Sequence, residues 1–257
     1  KPEQASEILE NFIKNKLSTY HETRNLLSQE GSSRISPYLR FGIISIRELY
    51  RKCLNLESHP SFVNELIWRE FYAYIMFHFP ESINYEFQTK YIGKIKWNND
   101  EKKFKAFCEG KTGYPVIDAA IRELLSTGWM HNRARMIVAS FLTKNLFMDW
   151  RLGEEFFAQH LMDYELSSNV GGWQWTASTG TDAQPYFRVF NPINQGRDYD
   201  KDGSYVRRFV PELAEIPLED LHDHEAIFKK YKTNYPAPIV DYKSSREHAI
   251  TSFKEIS

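Results

Sequence analysis

Residues 128–182 carry the side chains best suited to binding a large, polar, aromatic ligand. Indole rings stack on flat molecules, whereas amide, guanidinium and carboxylate groups fix their orientation. Four of the chain's six tryptophans lie in this stretch, beside two arginines, an asparagine and two carboxylates: Trp129, Asn132, Arg133, Arg135, Trp150, Asp163, Glu165, Trp173 and Trp175. The stretch therefore indicates a binding site for such a ligand.

A second set of such residues lies on one face of a helix predicted over 61–79. Glu65, Trp68, Arg69 and Tyr72 fall at positions i, i+3, i+4 and i+7, so they share that face. A glutamate and an arginine at this spacing commonly form a solvated salt bridge, which needs no ligand. The tryptophan is less ordinary, because an exposed indole beside charge suits stacking on a nucleobase.

The loop at 31–37 is a third candidate. Its clustered serine hydroxyls and free backbone N–H groups, at the entrance of a helix, can hold an anion such as phosphate. The serines could instead cap the helix, and their spacing alone favours capping. Similarly, Met136, one helical turn after Asn132, is most simply explained as a residue that fills the core.

The elements that must position these residues are helical. Apolar residues at helical spacing predict helices over 3–20, 61–79, 115–127, 131–147, 154–162 and 242–256. The end of 128–182 is rich in Ser, Thr and Gly, which favours a polar, loop-rich wall. The stretch 183–210 is rich in turn-forming residues, and the pair Gln195-Gly196 within it predicts a tight turn. Strand signals are scarce, so we expect an all-α fold.

Composition restricts the class of protein only loosely. The net charge of −1 gives no overall attraction to nucleic acid, although a local basic face is sufficient for binding. Basic residues between 133 and 208 contrast with an acidic stretch at Glu212, Glu215, Glu219, Asp220, Asp223 and Glu225. Cys53 and Cys108 have neither metal-binding nor disulfide-scaffold spacing, and the chain shows no bilayer-spanning run and no signal peptide. We expect no metal site, no membrane association and a cytoplasmic location.

Five long motifs, in order, closely resemble the flavin-binding catalytic domain of the photolyase/cryptochrome family. They are Gly31-Ser-Ser-Arg-Ile-Ser-Pro-Tyr-Leu, Asn64-Glu-Leu-Ile-Trp-Arg-Glu-Phe-Tyr, Gly110-Lys-Thr-Gly-Tyr-Pro, Thr127-Gly-Trp-Met-His-Asn-Arg-Ala-Arg-Met and Asn169-Val-Gly-Gly-Trp-Gln-Trp. The resemblance implies that residues 1–257 form one helical FAD- and DNA-binding domain with the flavin between helical lobes. Agreement over such long motifs is far more specific than any single short one.

The resemblance also implies which residues bind FAD. Tyr20 and the loop residues Ser32, Ser33, Arg34, Ile35 and Ser36 would hold the phosphates, and Asn132, Asp163, Tyr164 and Glu165 would complete the site. Arg135 would pair with Asp163 next to the flavin ring, and Asn169 would lie against flavin N5. The family has aspartate where this chain has Glu165, so the contact of that residue differs by a methylene group.

For the substrate, the resemblance implies a cyclobutane pyrimidine dimer extruded from UV-damaged DNA. Trp68 and Trp175 would sandwich the dimer, Glu65 would hydrogen-bond it, and Asn132 and Met136 would line the floor. Contacts to the lesion or its strand are expected from Arg24, Arg69, Tyr72, Arg133 and Gln195. Trp97, Trp150 and Trp173 match the family's electron relay, although core packing would explain any one of them alone.

Within the family, the pocket favours a class I cyclobutane pyrimidine dimer photolyase that works as a monomer. Asn132 and Met136 replace the histidine pair of (6-4) photolyases, and Asn169 replaces the aspartate of plant cryptochromes. A non-catalytic blue-light photoreceptor is the alternative. No part of the chain alternates strands and helices, so we expect the family's α/β antenna domain, with its folate or deazaflavin chromophore, to be absent from this chain.

Overall fold

The computed structural model describes residues 2–54 and 60–256, and within these ranges the fold is entirely helical. No strand occurs in the described residues, so the prediction of an all-α fold is confirmed. The α-helices are α1 Pro2–Asn15, α2 Tyr20–Thr23, α3 Ser36–Arg40, α4 Ile46–Leu54, α5 Pro60–His78, α6 Glu101–Cys108, α7 Pro115–Thr127, α8 Asn132–Ser140, α9 Trp150–His160, α10 Leu166–Ala177, α11 Pro192–Tyr199, α12 Ser204–Phe209, α13 Leu218–Leu221, α14 His224–Lys230 and α15 Tyr242–Lys254. Short 3₁₀ turns lie at Leu17–Thr19, Pro80–Ile83, Thr89–Tyr91 and Pro211–Leu213.

Helix α7 begins and ends where its sequence predicts. Pro115 occupies the first turn, where its missing N–H has no helical partner to lose, and Gly128 adopts φ 68° at the C-cap. The helix is buried along most of its length and forms the centre of the main core.

The prediction of loops over the end of 128–182 and over 183–210 was partly wrong. Leu166–Ala177 is the helix α10, which the side chain of Glu165 caps by accepting from two backbone N–H groups. The Gln195-Gly196 pair lies inside α11, which starts at Pro192 under an asparagine cap, and does not form a tight turn. Glycine suits this position, because a Cβ on Gly196 would lie 2.5 Å from the ring Nδ1 of His222.

The helix predicted over 131–147 is shorter and changes its geometry. Helix α8 ends at Ser140, and the chain continues as a π-helical turn over Phe141–Asn145. Residue Phe147 then adopts φ 52°, which ends the helical path. The next helix starts at Trp150, earlier than the predicted residue 154, because the side chain of Asp149 caps it by accepting from the Arg151 N–H.

The buried side chains form separate hydrophobic clusters. The N-terminal cluster joins α1, α2, α4 and the start of α5, and includes Phe12, Tyr20 and Phe62. The main cluster surrounds α7, α8 and α10, and a small third cluster surrounds Phe253. Among residues 2–54 and 60–256, no helix is both long and apolar enough to cross a lipid bilayer. The N-terminal and main clusters define two lobes, and the candidate site lies between them.

Candidate functional site

A cavity of about 550 Å³ lies between the two lobes, a volume typical of ligand-binding pockets. Its walls come from α2, α3 and α5 on one side and from α8, α10 and the segment 161–165 on the other. Most of the residues predicted for the site line this one cavity: Tyr20, Arg24, Ser33, Ile35, Ser36, Glu65, Trp68, Arg69, Tyr72, Asn132, Arg135, Met136, Asp163, Tyr164, Glu165, Asn169, Trp173 and Trp175.

The serine loop presents free hydroxyl groups to the cavity. The residue that caps α3 is Ile35, which makes no side-chain capping bond, so simple serine capping does not explain the motif. Ser33 and Ser36 line the cavity, and their hydroxyls have no hydrogen-bond partner within the described part of the chain. Free hydroxyls in a cavity wall can bind an anion, in agreement with the anion-binding interpretation of this loop.

Two of the predicted loop residues lie outside the cavity wall. Neither Ser32 nor Arg34 lines it, and the Arg34 guanidinium lies 3.6 Å from the centroid of the Trp129 ring. Arg34 also adopts φ 56°, a left-handed conformation that is uncommon for a non-glycine residue. Its side chain therefore holds the loop against Trp129, and it does not point an unpaired cation into the cavity.

Arg135 and Asp163 form an ion pair at the cavity wall. Arg135 Nη2 donates to both carboxylate oxygens of Asp163 at 2.9 and 3.1 Å, and Nε donates to the backbone oxygen of Met130 at 2.8 Å. The Asp163 side chain is only 2% exposed, so the pair satisfies a buried carboxylate that would otherwise be costly.

Glu165 keeps its negative charge by capping α10. Burial raises the pKa of this carboxyl, but hydrogen bonds from the Ser167 hydroxyl and from the N–H groups of Ser167 and Ser168 outweigh burial and lower it overall. The carboxylate also lines the cavity. The family has aspartate at this position. With one more methylene group, the Glu165 carboxylate lies at the N-terminus of α10, where a negative charge is stabilising.

The four residues predicted to share a face of α5 all line the cavity. Glu65 accepts a hydrogen bond of 2.6 Å from Arg24 Nη2, whereas Arg69 has no acid partner in the described residues. The Trp68 side chain is 39% exposed and stands edge-on to Phe71, so one face of the indole is available for stacking. Burial, followed by the Glu65 charge, raises the pKa of Tyr20 to about 12, so this hydroxyl is a neutral donor.

Asn132 and Met136 lie together on α8, facing the same cavity. The Asn132 Nδ2 atom lies 3.8 Å from Met136 Sδ, and both side chains line the wall. Met136 therefore contributes to the cavity and is not simply core filling. Arg133 and Gln195 do not line it: the Arg133 guanidinium is bonded to Asn25 and lies 4.3 Å from the Tyr199 ring centroid.

The three tryptophans predicted as a relay differ in depth. Trp173 lines the cavity and is 2% exposed, Trp150 is fully buried, and Trp97 is half-buried and packs against Phe147. The indole Nε1 atoms of Trp150 and Trp173 are buried without a partner in the structure. Of the three, Trp173 borders the cavity and Trp97 is the most exposed.

Some residues of the wall were not singled out from the sequence. Arg40 is one of them, and its Nε donates to the backbone oxygen of Tyr164. Glu154 does not line the cavity, but its carboxylate accepts hydrogen bonds from the wall residues Asn169 and Tyr164. Further wall residues are Leu39, Phe62, Leu66, Ala139, Phe157, Leu161, Ser168, Gly172 and Thr176. The sequence contained one signal for Arg40. It lies one helical turn after Ser36, a predicted site residue, and therefore on the same face of the helix.

The wall combines groups that suit a flavin dinucleotide. A Cβ placed on Gly172 would meet no atom within 4 Å, so this part of α10 leaves room for a flat ring at close approach. Hydroxyls and a guanidinium lie on α3 and its preceding loop, the Asn169 amide lies on α10, and the carboxylates of Asp163 and Glu165 lie just before α10. Within the described residues, no group of three or more His, Cys, Asp and Glu could hold a metal ion.

Known proteins resemble the chain along most of its length. The family model for the FAD binding domain of DNA photolyase matches residues 62–255. Deoxyribodipyrimidine photo-lyase of Alkalihalophilus pseudofirmus is 44% identical over 98% of this chain and 55% of its own length, and that of Escherichia coli is 40% identical over 96% and 54%. The chain thus spans about half the length of the curated relatives it matches.

Solved structures show the same likeness. A bacterial class III photolyase from Agrobacterium tumefaciens superposes with a TM-score of 0.92 at 40% identity, covering 99% of this chain and 56% of its own. The cryptochrome of Synechocystis superposes with a TM-score of 0.86 at 33% identity, covering 97% and 55%. Both matches extend across the two lobes that form the cavity.

Proposed function

The chain belongs to the DNA photolyase family, whose FAD-binding domain it matches, and from this membership we propose that it uses light to repair cyclobutane pyrimidine dimers in UV-damaged DNA. Its cofactor is FAD. The names of the curated relatives, deoxyribodipyrimidine photo-lyase, support the same reaction.

One observation carries the proposal. A single cavity brings the flavin-binding set, with Asn169 and the Arg135–Asp163 pair, into the same space as Glu65 and Trp68, the residues suited to a pyrimidine. Electron transfer requires donor and acceptor to be close, and this arrangement provides that closeness. A helical DNA-binding module would have no use for a cavity of this size with a buried Arg135–Asp163 ion pair in its wall.

The residues of the chain would hold the cofactor from both lobes. Ser33 and Ser36 would bind its phosphates, the Arg135–Asp163 pair would hold its ring, and Asn169 would contact flavin N5. When bound and reduced, the flavin would supply under blue light the electron that opens the cyclobutane ring, and the electron would return to the flavin after the ring has split, so that no net oxidation or reduction occurs. The protein needs no nucleophile of its own for this chemistry.

The lesion side of the cavity recognises the extruded dimer. Trp68 and Trp175 stack on the two bases, Glu65 hydrogen-bonds a pyrimidine edge, and Asn132 and Met136 form the floor. Extrusion costs least at a damaged and poorly stacked step, which favours the lesion over intact DNA. Arg69 and the neighbouring basic residues contact phosphates of the damaged strand.

Trp97, Trp150 and Trp173 would carry an electron from the surface to the cavity, which prepares the enzyme but is not itself the repair step. Tryptophan suits this role because its ring can lose an electron. The position of Trp173 at the cavity and the partial exposure of Trp97 support them as the inner and outer members.

The finer assignments are also proposals. The pocket residues favour class I, although one structural neighbour is described as a class III photolyase. We propose that the protein acts as a monomer in the cytoplasm, bound to DNA when damage is present.

A repair assay tests the function. The reduced protein is mixed with an oligonucleotide that contains one thymine dimer, illuminated with near-UV or blue light, and thymine absorbance is followed. Recovery that depends on light and on flavin establishes repair. Bound flavin without recovery would instead support the photoreceptor alternative.

A further inference from the structure

The cavity wall contains four guanidinium groups, of which two are neutralised by carboxylates: Arg24 by Glu65, and Arg135 by Asp163. The other two are Arg69 and Arg40. Arg40 Nε donates to the backbone oxygen of Tyr164 at 2.5 Å, and its Nη1 and Nη2 atoms have no hydrogen-bond partner in the described residues. Arg40 therefore offers the cavity an unpaired cation with free N–H donors.

Arg40 lies beside the two free serine hydroxyls. Ser36 and Arg40 are the first and last residues of α3, one helical turn apart, so they share a face of the helix. Both line the cavity together with Ser33. Two hydroxyl donors next to a planar guanidinium fork form a set that matches the oxygens of a phosphate or diphosphate group.

The other arginine of this region does not serve the cavity. The guanidinium of Arg34 is stacked on Trp129 at 3.6 Å and is absent from the cavity wall. The positive charge of Arg34 is thus not available to an anion in the cavity. Arg40 is the cation that the fold places at the serine end of the cavity.

We propose that Arg40 is a cofactor-binding residue whose guanidinium binds the diphosphate of FAD while it holds the carbonyl of Tyr164 in the opposite lobe. The proposal rests on the proposed function, since it requires a flavin dinucleotide in the cavity. One edge of the Arg40 guanidinium contacts the Tyr164 carbonyl, and the other edge contacts the phosphates. Arg40 thereby ties α3 to the segment that carries Asp163 and Glu165.

The test compares FAD with riboflavin, which has the same ring but no phosphate. Holoprotein is diluted and FAD release is followed by the rise in flavin fluorescence, and the stripped protein is titrated with each flavin. The variants are Arg40→Ala and Arg40→Gln, because glutamine can still donate to the Tyr164 carbonyl but carries no charge. Arg47→Ala, an exposed arginine on α4, is the matched control.

Loss of a charge-assisted hydrogen bond predicts FAD binding about 10- to 100-fold weaker in both Arg40 variants, with riboflavin changed by less than about twofold. The Arg40→Gln protein should also lose part of the salt dependence of FAD release. Equal weakening of both flavins, or full recovery of FAD binding in Arg40→Gln, would mean that Arg40 only ties the lobes together, and would overturn the proposal. A wild-type protein that binds neither flavin would refute the proposed function instead.

Discussion

The side-chain amide of Asn169 is held by one residue, Glu154, from helix α9. Asn169 Nδ2 donates to the backbone oxygen and to the carboxylate of Glu154, each at 3.0 Å. Both amide hydrogens are therefore committed, and the amide oxygen is left to face the cavity. The Glu154 carboxylate also accepts from the Tyr164 hydroxyl at 3.0 Å, which fixes its own position.

Replacing Glu154 with alanine should release this orientation while FAD remains bound. The bond to the backbone oxygen of residue 154 remains, but the Asn169 amide loses its bond to the carboxylate and is held less firmly, so reduced flavin should reoxidise in the dark at least about threefold faster, a fraction of the value of one hydrogen bond to a charged group. Dark reoxidation followed by flavin absorbance measures the effect. The neighbouring exposed residue gives the control, Glu155→Ala, and equal rates in the two variants would contradict the orienting role of Glu154.

Adjacent glycines in α10 should respond oppositely to alanine. A Cβ on Gly171 would lie 2.2 Å from Cδ1 of Tyr72, whereas a Cβ on Gly172 would meet nothing within 4 Å. We expect Gly171→Ala to lower the free energy of unfolding by about 1–3 kcal/mol through overpacking. Gly172→Ala should raise the free energy of unfolding of the flavin-free protein by up to about 1 kcal/mol, because alanine favours the helix.

The same Gly172→Ala protein should bind FAD more weakly, because the added methyl group enters the cavity. Thermal unfolding with and without FAD separates the two effects. If Gly172→Ala left the FAD affinity unchanged, the ring would not lie against this part of α10.

Glu65→Ala should lower the repair yield while flavin stays bound. The Glu65 carboxylate, paired with Arg24, is one-third exposed, so its loss should have little effect on stability. Its hydrogen bond to the lesion should matter more, and we expect the yield to fall by roughly threefold or more. Repair by chemically reduced protein is the measurement, and an unchanged yield would remove Glu65 from the lesion site.

Trp173→Phe should block photoreduction of the flavin but spare repair after chemical reduction. The Trp173 Nε1 atom has no hydrogen-bond partner among residues 2–54 and 60–256, so phenylalanine removes volume but no bond seen there, at a cost of about 1–2 kcal/mol. Flavin absorbance under illumination with a thiol reductant measures the block. Photoreduction at the wild-type rate would show that electrons reach the cavity by another route.

Acid should destabilise the protein partly through His131. Burial, and then the charges of Arg34 and Arg135, lower the pKa of this imidazole from 6.5 to about 4. The unfolded chain therefore takes up a proton below about pH 6.5 that the folded chain refuses until about pH 4. Stability is complete above pH 6.5 and falls by about 3 kcal/mol as the pH drops to 4.

His131→Asn isolates this contribution. The neutral His131 Nδ1 caps α8 by accepting from the Arg133 N–H, and asparagine is also a good capping residue. Denaturant unfolding between pH 7 and pH 4 should show a shallower loss of stability in the variant. Parallel pH profiles for the two proteins would show that His131 does not titrate as the burial argument requires.

The sequence correctly predicted the helices whose local signals agree with their tertiary packing. Helix α7 has its proline, apolar face and terminal glycine in the expected order, and the polar face of α5 does line the cavity. Helix α10 was missed because Gly171, Gly172 and two serines lower its helix propensity. Its glycines are explained only by Tyr72 and by the cavity, which are distant in sequence.

Side-chain directions in the serine loop could not be predicted either. The family resemblance implied that Arg34, together with Ser33 and Ile35, holds the phosphates. The left-handed backbone at Arg34 and the contact with Trp129, almost a hundred residues away, direct its guanidinium elsewhere. The direction of the Arg34 side chain depends on tertiary contacts, which a local sequence pattern does not contain.

The division of the buried side chains into an N-terminal and a main cluster makes the dinucleotide a structural component of the protein. A molecule that fills the cavity between these lobes binds only the folded protein, so the free energy of unfolding rises with the logarithm of one plus the ligand concentration over Kd. The flavin-free chain is then the form in which one lobe can open without the other, and so the form most susceptible to proteases. In a cell, the supply of FAD would set how long the protein persists as well as whether it works.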